Sequence, residues 1–494
     1  MRVQNAGNGE DIVKLDRRQM LAGVAGGMAA AALAPRLAAQ DGGAALIADI
    51  EARTFRYFHV TVNPANGLVP DRWPSQAVAS PAFASPAFAS IAAVGFALNA
   101  WPIGVERGWI TRAEARALTL AALRFFDRAP SGAGETGVSG HRGFFYHFLD
   151  MNTGLRFGGC ELSTVDTALL HMGMLFAAGW FDADTAEEAE IRRLATAIVD
   201  RAEWDWALGD GRGISMGWHP GSGFIERIWD GYNEGMMVYV LALGSGAHPI
   251  AANGWQIWTA HYDRFWRGQG AERHVAFAPL FGHQYSETWI DFRGIRDAPM
   301  RAAGFDYFEN SRRATYANRA YCIANPMQWE GYSDTIWGLT ACDGPGNHVL
   351  PYRGGTAHFS GYAARGPMGQ PDGYDDGTLA PTAALGSIAF APEIVIPAAR
   401  ALASWQGGRL YGRYGFSDAF NPSFRDASRR VDNGSVDPAL GWVGSDYLGI
   451  DQGPILSMIA NYRSETIWKV MRKVPHIRRG LMRAGFTGGW LGAT

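Results

Sequence analysis

The sequence predicts an all-α fold, a single helical toroid whose long loops gather at one end and form a cleft. Three observations carry that expectation. About a dozen segments place apolar residues at helical spacing. Strand-like alternation is confined to short pieces near 144–148, 336–342 and 441–448. After residue 40 no linker rich in Pro, Gly or Ser divides the chain, so the helices are expected to pack as one unit, with function concentrated in the loops.

The first 39 residues read as an export signal. Paired Arg17-Arg18 precede an Ala/Gly/Met-rich apolar stretch from Met20 to Leu33, and small residues follow at Ala38-Ala39. That is the layout of twin-arginine targeting with cleavage after Ala39. The apolar run is short and Gly-rich for a membrane span. A single catalytic domain is therefore expected over 40–494, in the periplasm and without stable membrane insertion.

In that domain, 44–60 carries Leu46, Ile47, Ile50, Thr54, Phe55 and Phe58 at helical spacing. Residues 63–73 form a loop by their turn residues. A tandem pentapeptide over 79–88, Ala-Ser-Pro-Ala-Phe twice, reads as a local duplication in a loop. A helix is expected over 90–100, and Thr111-x-x-Glu114 has the spacing of a capping box opening another through Phe126. Aromatic, Gly-rich loops at 140–159 and 209–231 precede helices at 164–178, 185–202 and 233–243. Later helices are expected at 255–266, 306–323, 381–390, 393–403 and 452–472.

Composition narrows the chemistry. Hydrophobic residues make up 47% and charged residues 18%, a globular balance. The formal net charge of −3 becomes more negative once residues 1–39, with five Lys/Arg and three Asp/Glu, are set aside. That offers no footprint for nucleic acid. Cys160, Cys322 and Cys342 are too few for a disulfide framework, leaving room for one bridge. A phosphate-cradling loop with Lys, His-Glu-x-x-His and paired Cys-x-x-Cys are all missing, so no cofactor is expected. Gly213-Ile214-Ser215-Met216-Gly217 spells a serine-hydrolase elbow, but that motif needs a strand before it and a helix after it. Its flanks read as loop.

What remains is carboxylates among aromatics. In Trp229-Asp230-Gly231-Tyr232-Asn233-Glu234, Asn233 is a good N-cap and Glu234 would fall in the first helical turn. Two readings stay open. Glu234 complements the helix dipole, or it is held protonated among Trp229, Tyr232 and Met236 as a general acid. In Cys160-Glu161-Leu162-Ser163-Thr164-Val165-Asp166, Asp166 resembles the far end of a capping box, whereas Glu161 has no such role. Trp329, Tyr332, Asp334 and Trp337, with Asp375 and Asp376, combine the aromatic faces and acceptors that suit a sugar. Each aromatic alone also reads as core. Asp451, before a long helix, reads as a plain N-cap. The chemistry with enough candidates is carboxylate-pair work on glycosidic bonds.

At these motifs the chain resembles the glycoamylase-like family, which includes bacterial endo-β-1,2-glucanases and the transglycosylase domain of cyclic β-1,2-glucan synthases. The resemblance runs from about residue 45 onward. It rests on 160–168, 232–234, 329–334, 376–381, 414–421 and 449–454, and on Trp289-Ile290-Asp291-Phe292-Arg293-Gly294-Ile295-Arg296-Asp297. It implies an (α/α)₆ barrel, one deep cleft, no metal and action on β-linked glucan. Glu234 then becomes the general acid and Glu161 and Asp166 site carboxylates. Trp229, Tyr232, Asn233, Arg293 and Asp451 join the loop residues as substrate contacts. The expected activity is inverting hydrolysis of β-1,2-glucan. Transglycosylation, exo-acting β-glucosidase-type cleavage, plain glucan binding and polysaccharide lysis stay open as alternatives.

Overall fold

The computed structural model describes residues 42–73 and 88–492. The signal expected over 1–39, its cleavage point and residues 79–87 of the tandem pentapeptide lie outside the described residues. The chain divides into 1–48, described from residue 42 as helical, and 49–494.

In the second unit, 49–60 is helical (α1). There follow α2 (Ile91–Glu106), α3 (Arg112–Arg128), α4 (Thr164–Trp180), α5 (Ala186–Asp200) and α6 (Met236–Gly244). Then come α7 (Phe281–Trp289), α8 (Tyr307–Ala324), α9 (Pro381–Leu385), α10 (Pro392–Ser404), α11 (Gly449–Ser464), α12 (Thr466–Met471) and α13 (Pro475–Arg483). Six of them, α2, α4, α6, α7, α9 and α11, are buried on nearly every face. Such helices carry no polar stripe because none of their faces meets water. They pack largely in chain order: α2 on α4, α4 on α6, α6 on α7, α9 on α11, and α11 back on α2. Gln284 on α7 spans to α9 by donating to Ala383 O at 2.8 Å. The intervening α3, α5 and α10 bury apolar residues three and four apart and turn the opposite face outward.

The α2–α4 crossing is the tightest. A Cβ on Gly173 would stand 2.1 Å from Gly95 O, and one on Gly95 would stand 2.4 Å from Leu169 O. Only two glycines let these backbones touch. Caps fall at Ser90, Thr111, Ser163, Thr185 and Asp306, and Thr111–Glu114 closes the capping box its spacing predicted.

Several boundaries differ from expectation. The helix expected over 452–472 starts earlier, at Gly449, and breaks at Glu465, whose φ of +53° is left-handed. The helix expected over 255–266 ends at Thr259, and that over 381–390 at Leu385. Helix α7 was not anticipated. Its buried residues include His283, Gln284, Ser286 and Glu287, which periodicity counts as polar.

The molecule is mostly helical, and the all-α expectation is amended by short strands of two to five residues in the loops, twenty of them among the described residues. The largest sheet joins Gly140–His141, Phe144–Tyr146, Leu162–Ser163, Gly217–His219 and Gly223–Phe224. A second pairing sets Arg72 opposite Leu448. The loops between 329 and 443 have a small core of their own, built on Trp329, Phe359, Phe424 and Trp442. All three cysteines are free thiols. Among the described residues no helix is long and apolar enough to cross a membrane.

Candidate active site

Hydrogen bonds draw the first turns of four buried helices together. Ile91 N, opening α2, donates to His147 O at 3.3 Å, and His147 N donates to Glu161 O at 3.0 Å, just before α4. Trp229 Nε1, in the loop before α6, donates to Thr164 Oγ1 at 2.9 Å. Gly449 N, opening α11, donates to Asp71 O at 2.7 Å. Helix N-termini carry partial positive charge, and the carboxylates of the region gather there.

Glu234 stands in the turn before α6. The sequence made Asn233 the N-cap, but Gly235 takes that place. Asn233 instead accepts from Gly235 N at 2.9 Å and donates to Asp230 O at 3.0 Å, spending its amide on a local turn. Gly231 allows the bend with φ +68°. Glu234 therefore precedes the helix, and its backbone O accepts from Ser286 Oγ of α7 at 3.5 Å. Its side chain borders a cavity of about 400 Å³ walled by Met216, Trp229, Phe277 and Phe281, with Arg227 and Asp372 also lining it. The residue as a whole is half-buried, but Oε2 lies out of solvent with no hydrogen-bond partner. Burial of the carboxyl raises its pKa to about 7, and the charge of Asp166 adds to the rise.

Within electrostatic reach of Glu234 lies a triad the sequence did not reveal. His147 Nδ1 is 2.8 Å from Glu161 Oε1, and Nε2 is 3.6 Å from Asp166 Oδ2. Asp166 also accepts from Ser163 Oγ at 2.5 Å, while its backbone N donates to Ser163 Oγ at 3.2 Å. Burial pulls the His147 pKa down, but Asp166 and Glu161 outweigh it and raise it to about 9. Asp166 is raised by burial against the pull of His147, and Glu161 is lowered by His147 despite its own burial. The ligand-type atoms lie within 4.8 Å of one another. His147, Glu161 and Asp166 are the donor set that could hold a cation, and the charges that raise the imidazole pKa are those of the residues alone. The cluster is an ion-paired triad.

A second carboxylate group surrounds Arg72, which contacts Asp343 at 2.8 Å, Asp71 at 3.2 Å and Asp446 at 3.4 Å. Beside it, Asp418 and Asp451 are buried against each other. Burial raises both pKa values, and so does the nearby negative charge. Asp451 lies in the first turn of α11, and Leu448 precedes the helix, so the plain N-cap reading is corrected. Tyr285 links the two groups: after burial, Asp451, Tyr362, Glu234 and Asp166 are what raise its pKa. Tyr362 is 68% exposed, an aromatic face left open beside Asp451.

Other sequence candidates sit elsewhere. Tyr232 is 1% exposed and lies parallel to Tyr307, with ring centroids 5.9 Å apart, inside the core. Trp329 and Trp337 are buried at 4% and 0% exposure, so neither has a face free for sugar. Arg293 pairs with Asp291 and Glu465 and covers Trp468. Asp334 is exposed, 3.8 Å from Arg319. Asp375 accepts from Tyr332 at 2.6 Å and Tyr321 at 2.9 Å. Asp376 is fully buried against Arg365 at 2.7 Å. These side chains hold loops in place. Ser215 of the elbow-like motif donates to Gly217 O and Ile225 O and is spent. A larger cavity of about 950 Å³, among α4, α5, α12 and α13, is lined by none of Glu234, Asp166, Glu161 or Asp451.

The chain matches a known family. The glycoamylase family model, described as "putative glucoamylase", matches residues 227–475, half of the chain. A Bacteroides uniformis structure given the same description is 31% identical, with a TM-score of 0.73 over 90% of this chain and 98% of that one. The chain belongs to the glycoamylase family. An endo-β-1,2-glucanase from Chitinophaga pinensis, solved with sophorotriose and glucose, is 25% identical with a TM-score of 0.74, covering 91% of this chain and 99% of that one. An exo β-1,2-glucooligosaccharide sophorohydrolase (non-reducing end) from Parabacteroides distasonis is 28% identical over 88% of this chain. The chain spans 57% of that protein's length.

Proposed function

We propose that this protein is a glycoside hydrolase cleaving β-1,2-glucan, with Glu234 as general acid. The observation that carries the reading is the Glu234 carboxyl, unpartnered at Oε2 and raised to about 7 beside Asp166. Such a group keeps its proton at mildly acid pH and can deliver it to a leaving glycosidic oxygen. A second carboxylate, Asp166 or the Asp418–Asp451 pair, activates water directly or through a substrate hydroxyl, giving inversion. Trp229 and Asn233 line the acid's cavity, and Asp451 borders the open face of Tyr362. The chemistry of the relatives supports the linkage.

The six buried helices, packing in succession with α11 returning to α2, support an (α/α)₆ barrel as the scaffold. Arg17-Arg18 and the apolar stretch after them support export by the twin-arginine route to the periplasm.

The test is incubation with β-1,2-, β-1,3-, β-1,4- and β-1,6-glucans, with products analysed for length and anomeric configuration. Short β-1,2-linked products are expected from the first substrate alone. Sophorose alone marks exo cleavage, a ladder marks endo cleavage, and longer or cyclic products mark transfer. No product from any of the four removes the hydrolase reading and leaves a glucan-binding protein.

A further inference from the structure

We propose that His147 is a positioning residue, an imidazolium clamp that holds Glu161 and Asp166 charged and oriented beside Glu234. The proposal rests on the reading of Glu234 as general acid.

The ring has little freedom. His147 sits between the strands Phe144–Tyr146 and Phe148–Asp150 and stacks on Phe148, with centroids 4.0 Å apart and planes at 19°. Its backbone is tied on both sides, N to Glu161 O and O to Ile91 N. Each ring nitrogen faces a different carboxylate, Glu161 at 2.8 Å and Asp166 at 3.6 Å. Glu161 is within hydrogen-bond reach of Nδ1, whereas toward Asp166 the ring acts by charge across 3.6 Å, which only the doubly protonated ring carries.

The surrounding charges are almost all negative. Asp71 acts on the ring from the loop before α2, Glu161 from just ahead of the strand Leu162–Ser163, and Asp166 from α4 itself. Asp71 has Arg72 as its own partner, and His219, 3.5 Å from Arg156, acts on Glu161 from the far side. Among the described residues Asp166 has no ion pair besides the one with His147; its other side-chain contact is the neutral Ser163 hydroxyl. A buried carboxylate left with a neutral donor takes up a proton. Remove the imidazolium, and Asp166 can neither hold charge near Glu234 nor accept a proton from water. The raised pKa of His147, about 9, agrees with a ring charged throughout the working pH range.

His147→Gln keeps an amide near the carboxylates and removes the charge. Because His147 lowers the pKa of both Glu161 and Asp166, its loss raises them, and activity that requires them ionised is lost sooner as the pH falls. The acid limb of kcat/KM should move up by about 1–3 pH units, with kcat falling and KM holding. An unshifted limb with unchanged kcat overturns the proposal, and a lower Tm alone would make His147 structural. A second measurement needs no variant: ¹⁵N spectra of the wild-type protein should show His147 as imidazolium at pH 8. A neutral ring at pH 7 overturns the clamp even where the variant does not fold. Glu234→Gln runs beside both. If it is fully active, the acid reading fails and the positioning role with it. If it is inactive while His147→Gln matches wild type, only the clamp fails.

Discussion

At Glu234 one proton decides two different measurements. Glu234→Gln keeps size and removes the transferable proton, so kcat should fall by about 10²–10⁴-fold. Activity in the wild type should decline as pH rises through about 7, where the acid ionises. Stability carries the same signature. A carboxyl whose folded pKa lies above its unfolded value contributes stability below the ordinary carboxyl range and loses it as pH rises through the folded value. The variant's Tm should therefore match wild type near pH 4 and exceed it at pH 8. A variant that stays fully active and less stable at every pH would return Glu234 to dipole service. Glu161, Asp166 and Glu234 stood out as candidates because each stands in a short polar stretch ahead of an apolar helix, whereas Asp451 read as a plain N-cap. His147 and Asp418 did not stand out. Their roles arise from pairings such as Phe145 with Ser163 and from Asp418 beside Asp451, contacts between stretches that no local spacing encodes.

The helices were legible where one face meets water or a cap marks the start, as at Thr111, Ser163, Thr185 and Asp306. They were least legible where everything is buried: α7 mixes aromatics with hydrogen-bonded polar residues, and α11 and α12 look continuous until Glu465 turns left-handed. The loops between 329 and 443 misled for a related reason. Trp and Tyr beside carboxylates suit a sugar site and a small core equally well, and the small core is what formed. Trp329→Ala and Trp337→Ala should each cost about 3–5 kcal/mol of stability in denaturant unfolding. Among molecules still folded, KM for glucan should stay near wild type. A raised KM with intact stability in either variant would restore the stacking role that burial denies them.

The whole molecule is expected to travel before it works. Replacing Arg17 and Arg18 with Lys should leave the precursor in the cytoplasm with residues 1–39 attached; unchanged export would point to a general secretory signal instead. That route carries proteins already folded, and the three free thiols bear on it. With no covalent cross-link to form, folding can finish in a reducing compartment without an oxidant, an isomerase or a wait for thiol exchange. Cys322 and Cys342 are sealed inside, while Cys160 is half-buried next to Glu161. Burial raises the Cys160 pKa, which slows its alkylation. That same thiol, one residue from Glu161, is a place to hang a dye that reports on the carboxylate cluster.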